Sequence, residues 1–350
     1  MSGSGGVRDD DRRWLASYPP DVPADLEVPA VPLTRLLDDA ALAFPDSVAL
    51  SYLGNHITYR WLRSAVDTFA GSLAGLDVGP MTRVAVILPN CPQHVVALFA
   101  VLRLGAVVVH CNPLATADEL AVQLTDSGAT VVVCLDRIAD AVLSVREQTH
   151  VRSVVVTSLA DGLSVAQRMR LELPLPSSRA RRRRLVGQVP TDPAVLAYRS
   201  LVRDGAAARQ APLEPAQEVA VLQYTSGTSA EPRAAMLSHT NLVANAHQVR
   251  LWMPEATPGR EVVLAVLPLF HVYGLTMCLL TSMLLGGRLV LLPQFDLDAL
   301  LDAIDADRPT IFPGVPPIYQ TLLDSPRLRR HDLSSIRICV SGAMKLPTVL

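Results

Sequence analysis

The chain has 350 residues, 50% of them hydrophobic and 18% charged, with a formal net charge of -2. That length supports about two domains of ordinary size. The composition excludes a disordered chain, and the charge balance carries no global signature of nucleic-acid binding. The first eleven residues are Gly/Ser-rich and then acidic, without the basic-then-apolar order of a secretion signal. Cys91, Cys111, Cys134, Cys278 and Cys339 are scattered, form no Cys-x-x-Cys pair, and read as reduced core thiols of a cytoplasmic protein.

Residues 1–30 read as an N-terminal tail and 31–160 as a first α/β lobe. From residue 83 the chain alternates short β-branched runs with helical stretches. A buried strand over 84–88 is closed by Pro89-Asn90, and Pro92 opens a helix carrying Ala97, Ala100, Val101 and Leu104. A strand over 106–109 follows. Thr116-Ala117-Asp118-Glu119 is a capping box for the next helix, which Gly128 ends. Strands over 131–133 and 153–157 complete a βαβ repetition, which predicts a parallel sheet with helices on both faces.

Residues 161–193 interrupt the pattern with Pro174, Pro176, two serines and the run Arg181-Arg182-Arg183-Arg184. They read as a solvated Pro/Arg-rich linker, with peripheral contact to an anionic membrane as the second reading. A second α/β lobe spans 194–350. It has a strand over 219–223, a loop over 224–233, and a helix capped by Ser238 that runs through Leu242, Val249 and Trp252. Then come a strand over 262–267, an apolar helix over 275–285, and strands over 288–292, 310–312 and 336–340. The stretch 262–285 has no Asp, Glu, Lys or Arg. Pro268, His271 and Gly274 in its middle make it core rather than a membrane span. His110 beside Cys111 has no second pair at metal-ligand spacing, so no metal site is expected there.

The segment Tyr224-Thr225-Ser226-Gly227-Thr228-Ser229 follows a strand and precedes Arg233. Small hydroxyl residues and a glycine let N–H and O–H groups converge on phosphate oxygens, and a cation a few residues on offsets their charge. No Gly-Lys-Ser/Thr closes it, so it is not a Walker loop. By itself it is equally an ordinary Ser/Thr/Gly turn. His271, alone in an apolar stretch, reads more readily as a core histidine, and Ser341-Gly342 can be a plain strand-end turn.

The segment from Tyr224 to His239 resembles the signature loop of the acyl-adenylate-forming (AMP-binding) superfamily. Leu267-Pro268-Leu269-Phe270-His271-Val272-Tyr273-Gly274 resembles that family's Pro-x-Phe-His-x-x-Gly segment. Pro313-Gly314-Val315-Pro316-Pro317-Ile318-Tyr319 and Ser341-Gly342-Ala343 supply a third match, in family order. The likeness extends from about Leu33 to Leu350 and is nearest to bacterial long-chain fatty-acid–CoA ligases. It implies two doubly wound, mostly parallel sheet lobes of the adenylate-forming N-terminal domain. It also implies ATP-dependent conversion of a fatty acid to acyl-AMP, with thioester formation to coenzyme A, in the presence of Mg²⁺. Thr225, Ser226, Gly227, Thr228 and Ser229 would cradle phosphates, with Arg233 where the family has lysine. His271 would stand beside the reacting carboxylate, and Ser341, Gly342 and Ala343 against adenine. The apolar helix over 275–285 and the helix bearing Leu242, Val249 and Trp252 would line an acyl tunnel or serve as core.

Several positions depart from the family pattern. Ala230 and Ala234 replace glycines, expected to cost about 1 kcal/mol at a site of positive φ, and Arg233 is bulkier and more planar than lysine. The Tyr-Gly-x-Thr-Glu segment, the ribose-binding Asp and the small C-terminal domain with its lysine have no counterpart, and Lys345 stands too early to be that lysine. The second lobe is therefore expected to be incomplete. Two other readings stay open: a catalytically impaired nucleotide-binding remnant, and a fatty acyl-AMP ligase feeding a carrier protein.

Overall fold

The computed structural model describes residues 12–225 and 233–348. Helix α1 (Arg35–Ala43) leads into a hairpin of β1 (Val48–Tyr52) and β2 (Asn55–Thr58). Thr58 then caps α2 (Tyr59–Ala74), its hydroxyl accepting from Trp61 N at 3.3 Å. Next come β3 (Arg83–Ile87), α3 (Pro92–Arg103), β4 (Val107–His110), α4 (Ala117–Ser127), β5 (Val131–Leu135), α5 (Asp136–Val145) and β6 (Ser153–Thr157). The capping box expected at Thr116 is present, and Gly128 ends α4 at φ 63°. Helices α6 (Val165–Leu171) and α7 (Pro176–Leu185) precede β7 (Val195–Ala197) and α8 (Tyr198–Asp204).

The chain continues through β8 (Val219–Thr225), β9 (Arg233–Ser238), α9 (His239–Leu251) and β10 (Val262–Ala265). Ser238 caps α9 as its sequence position predicts. After a short turn of helix, α10 (Val272–Gly274), residues Leu275–Leu280 wind as a π-helix before α11 (Thr281–Leu285). The expected apolar helix is therefore under-wound through its first half, a rare form that recurs beside functional sites. Strand β11 (Arg288–Leu291), α12 (Leu297–Asp307), β12 (Ile311–Gly314), α13 (Pro316–Leu323) and β13 (Ile338–Ser341) follow. Among the described residues no helix is long and apolar enough to cross a membrane.

The strands form two sheets, ordered β13-β12-β10-β11-β1-β2 and β7-β6-β5-β3-β4-β8-β9. Every neighbouring pair is parallel except the terminal pairs β1–β2 and β8–β9. This corrects the division of lobes at 161–193. Strands β1 and β2 belong with β10–β13, while β8 and β9 join the sheet of β3–β7, so both sheets draw strands from either side of that stretch. The stretch is also more than a linker, since it carries α6 and α7 in the crossover from β6 to β7.

Alternate residues of the seven-stranded sheet enter two cores. Val84, Val86, Val108 and Val133 face the main core, and Ala85, Ile87, Val109, Val132 and Cys134 face a smaller one closed by α4 and α5. All 12 residues of α3 are buried, including Gln93, His94 and Arg103. A helix covered on every side leaves its polar groups dependent on internal partners. Arg103 finds two, Asp38 at 2.6 and 2.8 Å and Asp67 at 3.1 Å. Four of the cysteines are buried as expected, but Cys339 is exposed on β13 at the sheet edge.

Candidate functional site

In the six-stranded sheet the chain passes from β10 to its neighbour β11 on one side, then from β12 to β13 on the other. The crevice outside the carboxyl ends of β10 and β12 is thus the point where connections diverge, the favoured place for a ligand in such sheets. The segment leaving β10 contains His271. Its backbone N–H donates to Pro268 O at 3.1 Å, and Leu275 N donates to His271 O at 2.9 Å. The His271 ring caps α10, Nδ1 accepting from Tyr273 N at 3.2 Å. In the neutral ring that contact places the proton on Nε2, and the side chain is exposed. The turn is tight: a Cβ on Gly274 would lie 2.1 Å from Pro268 O.

Two buried amides hold this segment. Asn90, just past β3, donates to Ala265 O (3.0 Å) and Leu267 O (2.9 Å) and accepts from Leu269 N (2.8 Å). Gln223, in β8, donates to Phe270 O at 2.9 Å. The ends of β3 and β8 in one sheet are in this way bonded to the end of β10 in the other. Neither amide stood out in the sequence as a positioning residue. The available signal was a single polar residue at the end of an apolar strand, which implies a partner once buried.

Behind Gln223 lie two histidines. His110 Nδ1 donates to Gln223 Oε1 at 3.3 Å, and His94 Nδ1 donates to Leu88 O at 3.0 Å. Their rings are 5.3 Å apart, and each Nε2 is buried with no hydrogen-bond partner among the described residues. A proton on either ring would be a charge taken out of water. Burial lowers His94 to about 4; burial and the neighbouring His94 lower His110 to about 3. His110 thus serves a buried amide network, and Cys111 beside it is a buried free thiol.

The third motif closes the far side of the crevice. Tyr273 OH lies 3.2 Å from Gly314 O and 3.0 Å from Val340 O, able to donate to either, while Tyr319 OH reaches Phe312 O (2.6 Å) and Val340 O (3.0 Å). Gly342 N donates to Gly314 O at 3.3 Å, and a Cβ on Gly342 would lie 2.7 Å from the Tyr273 ring. Ala343 takes φ 62°, a left-handed conformation that costs a non-glycine residue about 1 kcal/mol. Ser341 Oγ is buried without a partner among the described residues.

The expected phosphate loop is bracketed by the β8–β9 hairpin, in which Thr225 is in register with Arg233. Tyr224 fixes the strand end from the outer side, its hydroxyl donating to Asp126 Oδ2 at 2.6 Å. Ser226, Gly227, Thr228, Ser229 and Ala230 lie outside the described residues. Arg233 is exposed at the first position of β9. Ala234 pairs with Tyr224 inside that strand and is absent from the positive-φ residues, so the strain expected there is not found. Trp252, expected along an acyl tunnel, is half-exposed with its ring edge-to-face on Tyr18 at 5.1 Å; Leu242 is buried and Val249 partly so. His239 is structural, accepting from Leu33 N at 3.1 Å. A cleft of about 530 Å³ lies elsewhere, at the amino ends of β3, β5 and β6, and none of the motif residues lines it.

The structure therefore brings His271, the flanks of the hydroxyl-rich loop and the Ser341-Gly342-Ala343 turn to the carboxyl ends of β8, β10 and β13. Ser341 Oγ, buried without a partner among the described residues, and exposed His271 Nε2 suit a polar ligand such as a nucleotide.

Comparison with known proteins fits this geometry. The family described as AMP-binding enzyme matches residues 37–350. The long-chain-fatty-acid–CoA ligase of Bacillus subtilis is 36% identical over 338 residues, covering 95% of this chain and 59% of that ligase. The enzyme of the same name from Salmonella typhimurium is 34% identical over 342 residues, covering 96% and 60%. The crystal structure of a long-chain-fatty-acid–CoA ligase from Archaeoglobus fulgidus superposes with a TM-score of 0.75 at 22% identity, covering 93% of this chain and 60% of that one. The chain thus spans about three-fifths of the length of these relatives.

Proposed function

Since the chain belongs to the family of AMP-binding enzymes, we propose that it performs ATP-dependent activation of a carboxylic acid, with coenzyme A as the acceptor. A carboxylate oxygen attacks the α-phosphorus of ATP, the bond to pyrophosphate breaks, and acyl-AMP forms. The thiol sulfur of coenzyme A then attacks the acyl carbon and AMP leaves. The acid is a long-chain fatty acid, a reading that rests on the names of the relatives at 34–36% identity. The main observation behind the activity is the convergence of three motif segments, 267–274, 313–319 and 341–343, at one sheet crevice, tied to the hairpin of β8 and β9 through Gln223 and Phe270.

In this reading His271 Nε2–H donates to the oxygen that carries charge as the acid meets the α-phosphate. Its ring is already held by the Tyr273 N–H contact, so little reorganisation is needed. Arg233, with Thr225, Ser226, Gly227, Thr228 and Ser229, neutralises and holds the β- and γ-phosphates. Ser341 Oγ and the Gly342-Ala343 backbone face the adenine. Leu275, Leu279 and Leu280 of the π-helix and Leu242 of α9 are packed into the main core and serve there rather than as open surface for the acid. Mg²⁺, when bound with ATP, would offset phosphate charge alongside Arg233.

The test is pyrophosphate release by the purified chain with ATP, Mg²⁺ and a fatty-acid series, with and without coenzyme A. Acid-dependent pyrophosphate together with a thioester supports the proposal. Pyrophosphate without thioester replaces it with transfer to a carrier protein, and nucleotide binding without pyrophosphate reduces the chain to a nucleotide-binding one.

A further inference from the structure

The arginine-rich crossover between β6 and β7 plays no part in that chemistry, yet it forms a distinctive surface. Between residues 165 and 185 there are seven arginines against one acid, Glu172, and no aromatic residue. Arg168 turns inward and donates to Leu163 O at 3.2 Å. Arg170, Arg179, Arg181, Arg182, Arg183 and Arg184 are exposed, and among the described residues their one ion pair is Arg182 with Glu172, at 3.6 Å. Arg137 donates to Arg183 O and Arg184 O at 2.5 and 2.8 Å, which holds the end of α7 and adds a further cation beside it. The last-turn arginines also suit the negative end of the helix dipole, so the helix is compatible with its own charge.

The same crossover leaves Val165, Met169, Leu173 and Leu175 exposed by 59, 66, 46 and 51%. Val165 and Met169 are one turn apart on α6, and Leu173 and Leu175 lead into α7, which packs against α6. Single exposed aliphatic residues are ordinary. Four within eleven residues, beside six exposed arginines, match a surface that lies in the headgroup region of a bilayer.

We propose that α6, α7 and the segment between them dock on an anionic lipid bilayer. The arginines meet headgroup phosphates, and the four aliphatic side chains enter the acyl boundary. A nucleic acid would satisfy the arginines but leave the aliphatic residues in water, and the segment offers no ring for base stacking. Docking of this kind needs no turnover, so it stands or falls separately from the ligase reading.

Co-sedimentation of the whole chain with vesicles of phosphatidylcholine, with and without phosphatidylglycerol, tests this at low and high salt. Binding is expected only with phosphatidylglycerol, weakening as salt rises. Each basic residue near an anionic surface contributes about fivefold, so joint R179Q, R181Q, R182Q, R183Q and R184Q substitution is expected to lower binding by ~100-fold or more. Joint V165S, M169S, L173S and L175S substitution is expected to keep part of the low-salt binding and remove what persists at high salt. All nine positions are exposed, and circular dichroism verifies that each variant folds. Equal binding to both vesicle types by the unaltered chain would overturn the proposal without any variant. So would an arginine variant that binds at full strength, or an aliphatic variant whose binding at high salt is unchanged.

Discussion

Acid should unfold this protein through its buried histidine pair. His94 and His110 sit near 4 and 3 in the folded chain against 6.5 in an exposed chain, because burial disfavours the imidazolium and neither Nε2 has a partner among the described residues. The folded pKa values are depressed, so the unfolded state binds more protons as pH falls below 6.5, and stability is lost through that window until about pH 3–4. Between pH 7 and pH 5 each ring removes about 2 kcal/mol, and the pair about 4 kcal/mol, from a total that for domains is typically 5–15 kcal/mol. His239, also lowered to about 4 by burial, removes about 2 kcal/mol more by the same linkage. Replacing both members of the pair by Asn keeps a donor near each Nδ1 position and removes the titration. Urea denaturation followed by circular dichroism at pH 7 and pH 5 should then show a pH-dependent loss smaller by about 4 kcal/mol in the double variant. Equal losses in the two proteins would show that the pair is not the source and would refute the argument.

Asn90→Ala leaves Ala265 O, Leu267 O and Leu269 N without their buried partner and should cost about 3 kcal/mol or more, measured by the same urea titration. Arg103→Ala removes a buried guanidinium from Asp38 and Asp67, which are partly exposed and keep Arg63, and should cost about 3 kcal/mol, with thermal unfolding as the check. In pyrophosphate release, His271→Ala should lower kcat by about 10²–10³ with little change in Tm, since the side chain is exposed and makes one cap contact. Gly274→Ala should abolish that activity, because its Cβ would meet the Pro268 carbonyl at 2.1 Å; a fully active variant would show that the turn relaxes.

Local features were readable residue by residue. The caps at Thr116 and Ser238, the αL glycine at 128 and the strands of the β3–β6 run each follow from neighbours within a few positions, and the structure has them where the sequence puts them. What could not be read depends on partners far along the chain. Leu50 pairs with Leu289, Asn90 with Leu269, and His110 with Gln223. Each is an ordinary residue until the other strand arrives, so the boundary placed at 161–193 followed composition and missed the sheets. The site was legible as three motifs but not as a crevice. The Asn90 and Gln223 clamps that align those motifs resemble, in sequence, any polar residue at a strand end. Ala234 illustrates the reverse error, since a glycine-like position in a loop motif proved to be ordinary extended strand.

The interleaving of the sheets has a consequence during synthesis. The β1–β2 hairpin emerges from the ribosome early, but the strand that β1 pairs with in parallel, β11, is encoded more than two hundred residues later. At about 5–20 residues per second, that hairpin waits on the order of 10–50 s with one edge open. The seven-stranded sheet, by contrast, completes itself between residues 83 and 238. The nascent chain can therefore complete its inner sheet before its oldest strands find their partner, and the interval is one in which Val48–Tyr52 is open to chaperones or to pairing with another unfinished copy.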